Sequence, residues 1–504
     1  MRRNVIWLAF LGISIMAGEP PADPHAFLLS GPSSFLELYL KKYPPNLSGK
    51  GIAISPLDLP SNAAFSTVRT DDLPPLEKDI EQVATKRGKI HRSGLLTTIN
   101  YEEYPERECK AARTFVIPSQ RTGLVKDIEV RLALQPGKAP MAVALLGFGM
   151  RAKSKSAATY QADLFNAGNH VFCTDSIVSN AMNEATGHGV AGNAHEEAKV
   201  TARILDAFLS MTNPETGHPF SAQVSSVRLL GTSWGAIIAS HLLHLPQAKA
   251  WPIDRCLLVS IPVNLRTTSL RLDTFHREDR NRTSIFQLAR LAGGFTPRKD
   301  DPDEMENTTM RAGVGFVFHG DLRGLAQSNI HRYMPELPAR LEEFENDPDL
   351  RRMRAEYEQE LKVRHESEKK ELESKKEKLD SKRFNELKDD LKERQKIERD
   401  YSQRKLSSLA DWSFKHFVFM LARPYWQIEG DISDIGNACV LLKGAPNWVQ
   451  VVIANDDPLN DQKDVEALRS AIPSNLTVLP HGGHLGFNGT QWFQAMMAKF
   501  YAAK

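Results

Sequence analysis

The chain has 504 residues, 41% of them hydrophobic, and a formal net charge of +2 at pH 7. That length suits two to three average domains or one large domain with insertions, and the near-neutral charge gives no whole-chain electrostatic case for binding nucleic acid. Four scattered cysteines, Cys109, Cys173, Cys256 and Cys439, exclude a zinc-type spacing; Cys173 and Cys256 sit in apolar runs and read as buried free thiols.

At the N-terminus, Arg2 and Arg3 precede an apolar run at 5–17, and Gly18-Glu19-Pro20-Pro21 follows. A basic start and a short apolar core predict a signal peptide over residues 1–18, since a spanning helix needs about 20 apolar residues. Ile15 or Met16 falls where a small residue belongs at a cleavage site, so an uncleaved anchor stays open. The expectation is export, periplasmic or secreted, with membrane contact only through this segment if it is retained. Residues 19–93 read as a Pro-, Ser- and Asp-rich extension with one helix at 76–85.

Short strand-like runs at 94–99, 113–118 and 128–134 suggest antiparallel strands opening a sheet. The character then changes. The run 141–146 is apolar without alternation, as in a strand buried on both faces, and ends in Gly147-Phe148-Gly149. A helix at 156–168, a strand at 170–175, a long loop and an amphipathic helix at 195–211 follow. Next comes a branched apolar run into Gly231-Thr232-Ser233-Trp234-Gly235 and a small-residue helix, then a strand at 255–261. Such alternation of strand and helix predicts a mostly parallel sheet with helices on both faces.

Past Pro262 that rhythm stops. Residues 349–423 lack both Gly and Pro, and about 351–401 is dominated by Lys, Glu, Arg and Asp, with opposite charges three and four apart. A thin apolar stripe through Leu361, Leu372, Leu379, Phe384, Leu387, Leu391 and Ile397 allows a solvated helix or a coiled-coil-like partner surface. A single helix of about 50 residues would reach roughly 75 Å; a hairpin bending near Asp380-Ser381 would be half that. The sheet resumes at 449–454, with a helix at 462–471, a strand at 476–479 and a closing helix at 489–503. The layout is thus a core in two parts, 94–265 and 413–504. Between them lies a helical lid or insertion, 266–412, with its charged helix at about 349–405.

A serine hydroxyl is a weak nucleophile unless a base takes its proton and an acid orients that base. Ser233 is followed by the acidic pair Asp456-Asp457 at a strand end, then by His481 and His484 in a Gly-rich loop. G-T-S-W-G, A-N-D-D-P-L and H-G-G-H-L-G-F together resemble the nucleophile, acid and histidine loops of α/β-hydrolase-fold serine hydrolases, the last two most like an esterase-like subgroup. The resemblance covers roughly 94–265 and 413–504. It implies an α/β-hydrolase fold with Ser233 as nucleophile, His484 as general base and Asp457, in preference to Asp456, as the orienting acid. The oxyanion donors it implies are the backbone N–H groups of Trp234 and Phe148, although Leu146-Gly147 departs from the common His-Gly start of the second donor's loop.

The expected activity is hydrolysis of a small-molecule or lipid-like carboxylic ester through an acyl-enzyme, with no cofactor and no metal. The alternative is an inactive hydrolase fold that binds or scaffolds through the charged helix, by self-association or with a protein partner. His188 and His195 with Glu184, Glu196 and Glu197 read as polar surface rather than a metal site. Asn281-Arg282-Thr283 and Asn307-Thr308-Thr309 fit the N-glycosylation pattern.

Overall fold

The structure is a computed structural model. It describes residues 54–76 (apart from 63, 64 and 66), 107–265 (apart from 188–191 and 193), 267–268, 337–402 (apart from 379) and 436–502 (apart from 458 and 481). The leader at 1–18, the strand at 94–99, the helix at 76–85 beyond Leu76, both glycosylation patterns, His188 and His481 lie outside the described residues. Two compact units are present: residues 1–46 with 335–411, and residues 47–334 with 412–504.

The larger unit is built on one eight-stranded sheet in the order β1-β2-β4-β3-β5-β6-β7-β8. Its strands are β1 (Arg113–Ile117), β2 (Ile128–Ala133), β3 (Ala139–Leu145), β4 (His170–Thr174), β5 (Val224–Thr232), β6 (Ile253–Val259), β7 (Val449–Ala454) and β8 (Leu476–Leu479). Strand β2 runs against both neighbours, while every pairing from β4 to β8 is parallel. Strands β3, β4 and β7 are buried along their whole length, which explains why their sequences do not alternate.

Helices cover both faces. On one side α1 (Lys155–Asn166) packs with the closing helix, here α9 (Gln491–Tyr501), over a core that includes Ala142, Ala144, Leu230, Leu257 and Val452. Alternate residues point the other way: Phe172 meets Phe208 of α3 (Ala194–Ser210) at 5.0 Å between ring centroids, and α3 packs along α4 (Trp234–Leu242). The stretch read as a long loop after β4 contains a further helix, α2 (Asn180–Thr186). Ser179 caps it by accepting from the Met182 N–H, Met182 and Ala185 bury one face, and Gly187 closes it in the left-handed region at φ 81°. At the base of the sheet, paired neighbours Arg228 and Arg255 bond the last carbonyls of α9. Arg228 reaches Tyr501 O at 2.7 Å, and Arg255 reaches Phe500 O. Cations are favourable at that helix end.

The described residues between 54 and 76 lie along this unit, without regular structure apart from a 3₁₀ turn at Thr70–Asp72 and the start of a helix at Leu76. The Leu57 N–H donates to Lys443 O at 2.7 Å, and the Trp448 indole donates to Pro60 O at 2.8 Å. Connecting β7 to β8 is α8 (Gln462–Ala471), with Asp461 and Asp464 forming a reciprocal capping box.

In the smaller unit the charged stretch is a hairpin, not one straight rod. After α5 (Leu337–Phe344), α6 (Pro348–Ser374) and α7 (Ser381–Ser402) pack together across a connection that begins with a 3₁₀ turn at Lys376–Lys378. Phe344, Leu350, Leu361 and Phe384 are buried, and Gln395 Nε2 crosses between helices to His365 O at 3.1 Å. A stripe this thin leaves a lone helix exposed; folded on itself, each half covers the other.

Candidate active site

The C-terminal ends of the parallel strands carry the polar side chains of interest. Strand β5 ends at Thr232, and Ser233 follows with φ 53° and ψ −120°, a conformation costly for a residue with a Cβ. Two glycines make the turn possible. A Cβ on Gly231 would stand 2.6 Å from Ala236 Cα, and one on Gly235 would stand 2.1 Å from Leu145 O. The Ser233 N–H donates to Val259 O at 2.8 Å, so the strained residue is tied to the neighbouring strand.

His484 lies in the loop after β8, bent by Gly482 and Gly483 at positive φ and by Leu485 at φ 68°. Its Nε2 is 2.8 Å from Ser233 Oγ, and its Nδ1 is 2.9 Å from Asp457 Oδ2 and 3.2 Å from Oδ1. An ionised carboxylate only accepts, so Nδ1 carries the proton and Nε2 is left to receive the serine's. All three residues are buried, at 5%, 7% and 2% exposure for Ser233, His484 and Asp457.

The acidic pair divides its work. Asp457 faces the imidazole and also accepts the Leu459 N–H at 2.9 Å, while Asp456 Oδ1 accepts the Gly483 N–H at 2.8 Å and holds the histidine loop. Asn460 ties the acid loop to the end of β6, donating to Ile261 O at 3.0 Å and accepting from the Val263 N–H at 2.8 Å. Ser260, itself at φ 50°, accepts the Leu485 N–H at 3.1 Å. Sequence reasoning did not single out Asn460 or Ser260, because a lone Asn or Ser after a strand carries no motif.

Beside the serine, the loop after β3 sits so close that a Cβ on Gly147 would be 3.3 Å from Ser233 Cβ. The Gly147 N–H donates to Thr232 Oγ1 at 3.1 Å, fixing this loop to the elbow. Phe148, next in the loop, packs edge-on to the Trp234 ring at 6.0 Å and 80°. Trp234 is the first residue of α4, whose first-turn N–H groups have no carbonyl within the helix to accept them.

Glu197 is not surface, contrary to the reading of the 184–197 histidine and glutamate group. Its side chain is buried in α3, where Oε2 accepts the Trp234 indole N–H at 3.0 Å and Oε1 accepts the Gly192 N–H at 2.6 Å. Burial pushes its carboxyl up to about 8 against the downward pull of those two donors. The helical period places 197 with Val200, Thr201 and Ile204 on the inner face, a phase that the polarity of the side chain masks in the sequence.

The strand order with its single reversed strand, the strained serine between β5 and α4, and the acid and histidine after β7 and β8 together decide the architecture. The chain has the α/β-hydrolase fold. No family model matches it, and none of the curated proteins does. Among solved structures, brefeldin A esterase, described as a bacterial homologue of human hormone sensitive lipase, is similar over 93% of this chain and 92% of its own, at 14% identity and a TM-score of 0.36. A highly thermostable carboxyl esterase from Bacillus coagulans, solved in complex with glycerol, matches over 78% of this chain and 98% of its own, at 10% identity and a TM-score of 0.37. Est1E from Butyrivibrio proteoclasticus matches at 12% identity and a TM-score of 0.22 over 29% of this chain, which spans about half (51%) of the Est1E chain. At such scores these matches add no weight to the strand order and the elbow.

Proposed function

We propose that this α/β-hydrolase-fold chain is a serine hydrolase cleaving carboxylic esters through an acyl-enzyme. The observation that carries the reading is the unbroken line from Ser233 Oγ through the His484 imidazole to Asp457, with contacts of 2.8 and 2.9 Å from residues as far as 251 positions apart. A structural serine needs no such alignment, nor a strained backbone beneath it.

In the proposed reaction the Ser233 hydroxyl gives its proton to His484 Nε2 as Oγ attacks the ester carbonyl carbon. The carbonyl oxygen takes up negative charge, and the Trp234 and Phe148 peptide N–H groups would donate to it. One such donor is typically worth about 10²–10³ in rate. Asp457 stabilises the imidazolium and holds its tautomer. The C–O bond then breaks, the imidazolium proton passes to the departing alcohol, and the acyl group stays on Oγ. Water, deprotonated by the same imidazole, repeats the sequence to release the acid and restore the hydroxyl. Every proton has a donor and an acceptor among these groups, so the chemistry calls for no cofactor.

A fluorophosphonate probe tests the reading, because it labels only a serine activated in this way. Labelling of the full chain that disappears in Ser233→Ala supports it. Folded wild-type protein that resists the probe and leaves p-nitrophenyl esters of graded acyl length intact overturns it, and favours the scaffolding alternative.

A further inference from the structure

Glu197 poses a question that the triad does not answer. Burying a carboxyl away from water is costly, and an apolar residue on the inner face of α3 would avoid that cost. The side chain nevertheless sits in the core, and its two oxygens meet an indole and a peptide N–H rather than a cation. What it holds is specific. The indole belongs to Trp234, the residue after the strained serine, and that ring packs edge-on against Phe148 at 6.0 Å. Trp234 and Phe148 are the two residues whose peptide N–H groups would receive the oxyanion. Glu197 also holds Gly192 in the segment leading into α3, so a single carboxyl joins that segment, the elbow and, through the indole, the loop after β3.

We propose that Glu197 is a positioning residue for the oxyanion hole: by fixing the Trp234 indole it fixes the Trp234 peptide at the start of α4 and the Phe148 loop that leans on the ring. This rests on the serine-hydrolase reading above. Glu197 touches neither substrate nor the reacting atoms and acts only through Trp234. A ground-state ester carbonyl makes weaker demands on donor direction than the tetrahedral oxyanion does, so loss of the brace reduces turnover and leaves substrate binding nearly unchanged.

Two substitutions attack the contact from opposite ends. Glu197→Met removes the acceptors while roughly keeping volume, and Trp234→Phe removes the indole N–H while keeping an aromatic ring for Phe148. Each is expected to lower kcat by about 10–100-fold, below the full loss of a donor, with KM within about twofold of wild type. The double variant should be little worse than either single one, since both delete the same contact. Glu197→Gln, whose amide oxygen can still accept the indole N–H, should recover most of kcat. Affinity for a trifluoromethyl ketone that forms a tetrahedral adduct should fall in step with kcat.

Wild-type kcat in Trp234→Phe, or losses that multiply in the double variant, overturns the positioning role. If Glu197→Met does not fold, Trp234→Phe with the ketone affinity decides alone. Wild-type protein that the fluorophosphonate fails to label would instead overturn the hydrolase reading. Normal labelling of wild type together with unaltered Glu197 variants sinks only the present inference.

Discussion

Two carboxylates stand side by side after β7, and the backbone between them decides which one meets the imidazole. Asp457 is drawn inward because its own Oδ1 accepts the Leu459 N–H, and the Asn460 side chain beneath it is bonded to the end of β6. Asp456 is left to hold the Gly483 N–H. Asp457→Asn keeps the shape but replaces an acceptor with an amide, which favours the wrong imidazole tautomer; kcat is expected to drop by about 10⁴ with the fold intact. Asp456→Asn retains an oxygen for Gly483 and should cost less than about tenfold. Steady-state kinetics on both, with circular dichroism to check folding, test this division; equal losses would refute it. Both aspartates are visible in the sequence, and the family resemblance already favours Asp457 as the acid; the hold of Asp456 on Gly483 is not legible there, since it arises from turn geometry.

At the level of elements, legibility followed the burial pattern. Strands β3, β4 and β7 stood out as unalternating apolar runs because both faces are covered, and Gly231 and Gly235 marked the elbow because backbone passes where a Cβ would be. Helix α2 was missed because only Met182 and Ala185 mark its buried face, too few for a period to show. The charged hairpin was half legible: its composition announces helix and allows a bend near Asp380-Ser381 as well as one straight rod, but no Gly or Pro between Pro348–Ser374 and Ser381–Ser402 decides between them. Its small core gives a clear test. Phe384 is buried at 6% exposure, with Lys376 and Lys388 each 5.8 Å from its ring centroid. Truncating a well-buried Phe costs about 3–5 kcal/mol, a large share of what so thin an interface supplies. Phe384→Ala is therefore expected to raise amide hydrogen exchange across α6 and α7 while β3, β5 and β6 keep their protection. Unchanged exchange in α6 would show that the two helices do not depend on each other.

Across the whole molecule, the site is assembled from the two halves of an interrupted domain: Ser233 comes before the insertion, Asp457 and His484 after it, and β7 and β8 must dock on β6 to bring them together. The same folding that joins the halves also buries titratable groups, and their shifts set how stability depends on pH. His170, His195 and His244 are lowered chiefly by burial, so the stability they contribute is present above about 6.5 and lost as pH falls through their folded values. Asp163, raised to about 6 by burial against the opposing pull of Arg107, contributes stability at low pH that declines between its ordinary value of 3.8 and about 6. Glu197 extends that decline further. Its carboxyl would ionise near 4.5 in the unfolded chain but only at about 8 in the fold, so the unfolded state releases this proton first and stability falls with rising pH until the folded value is passed. The four thiols are raised above 9.0, chiefly by desolvation, and titrate beyond this range. Between pH 6.5 and 8 the three histidines still oppose this fall, so Glu197 is read from the difference between wild type and a variant that lacks its carboxyl, which changes by up to roughly 1.4 kcal/mol per pH unit well below 8. Urea midpoints of wild type should fall relative to those of Glu197→Gln across pH 6.5, 7.25 and 8, because the variant has no proton to release while the histidine contribution is common to both. Wild-type and Gln series that run parallel would mean that Glu197 is already ionised in the folded protein at pH 6.5 and that its two N–H partners outweigh its burial.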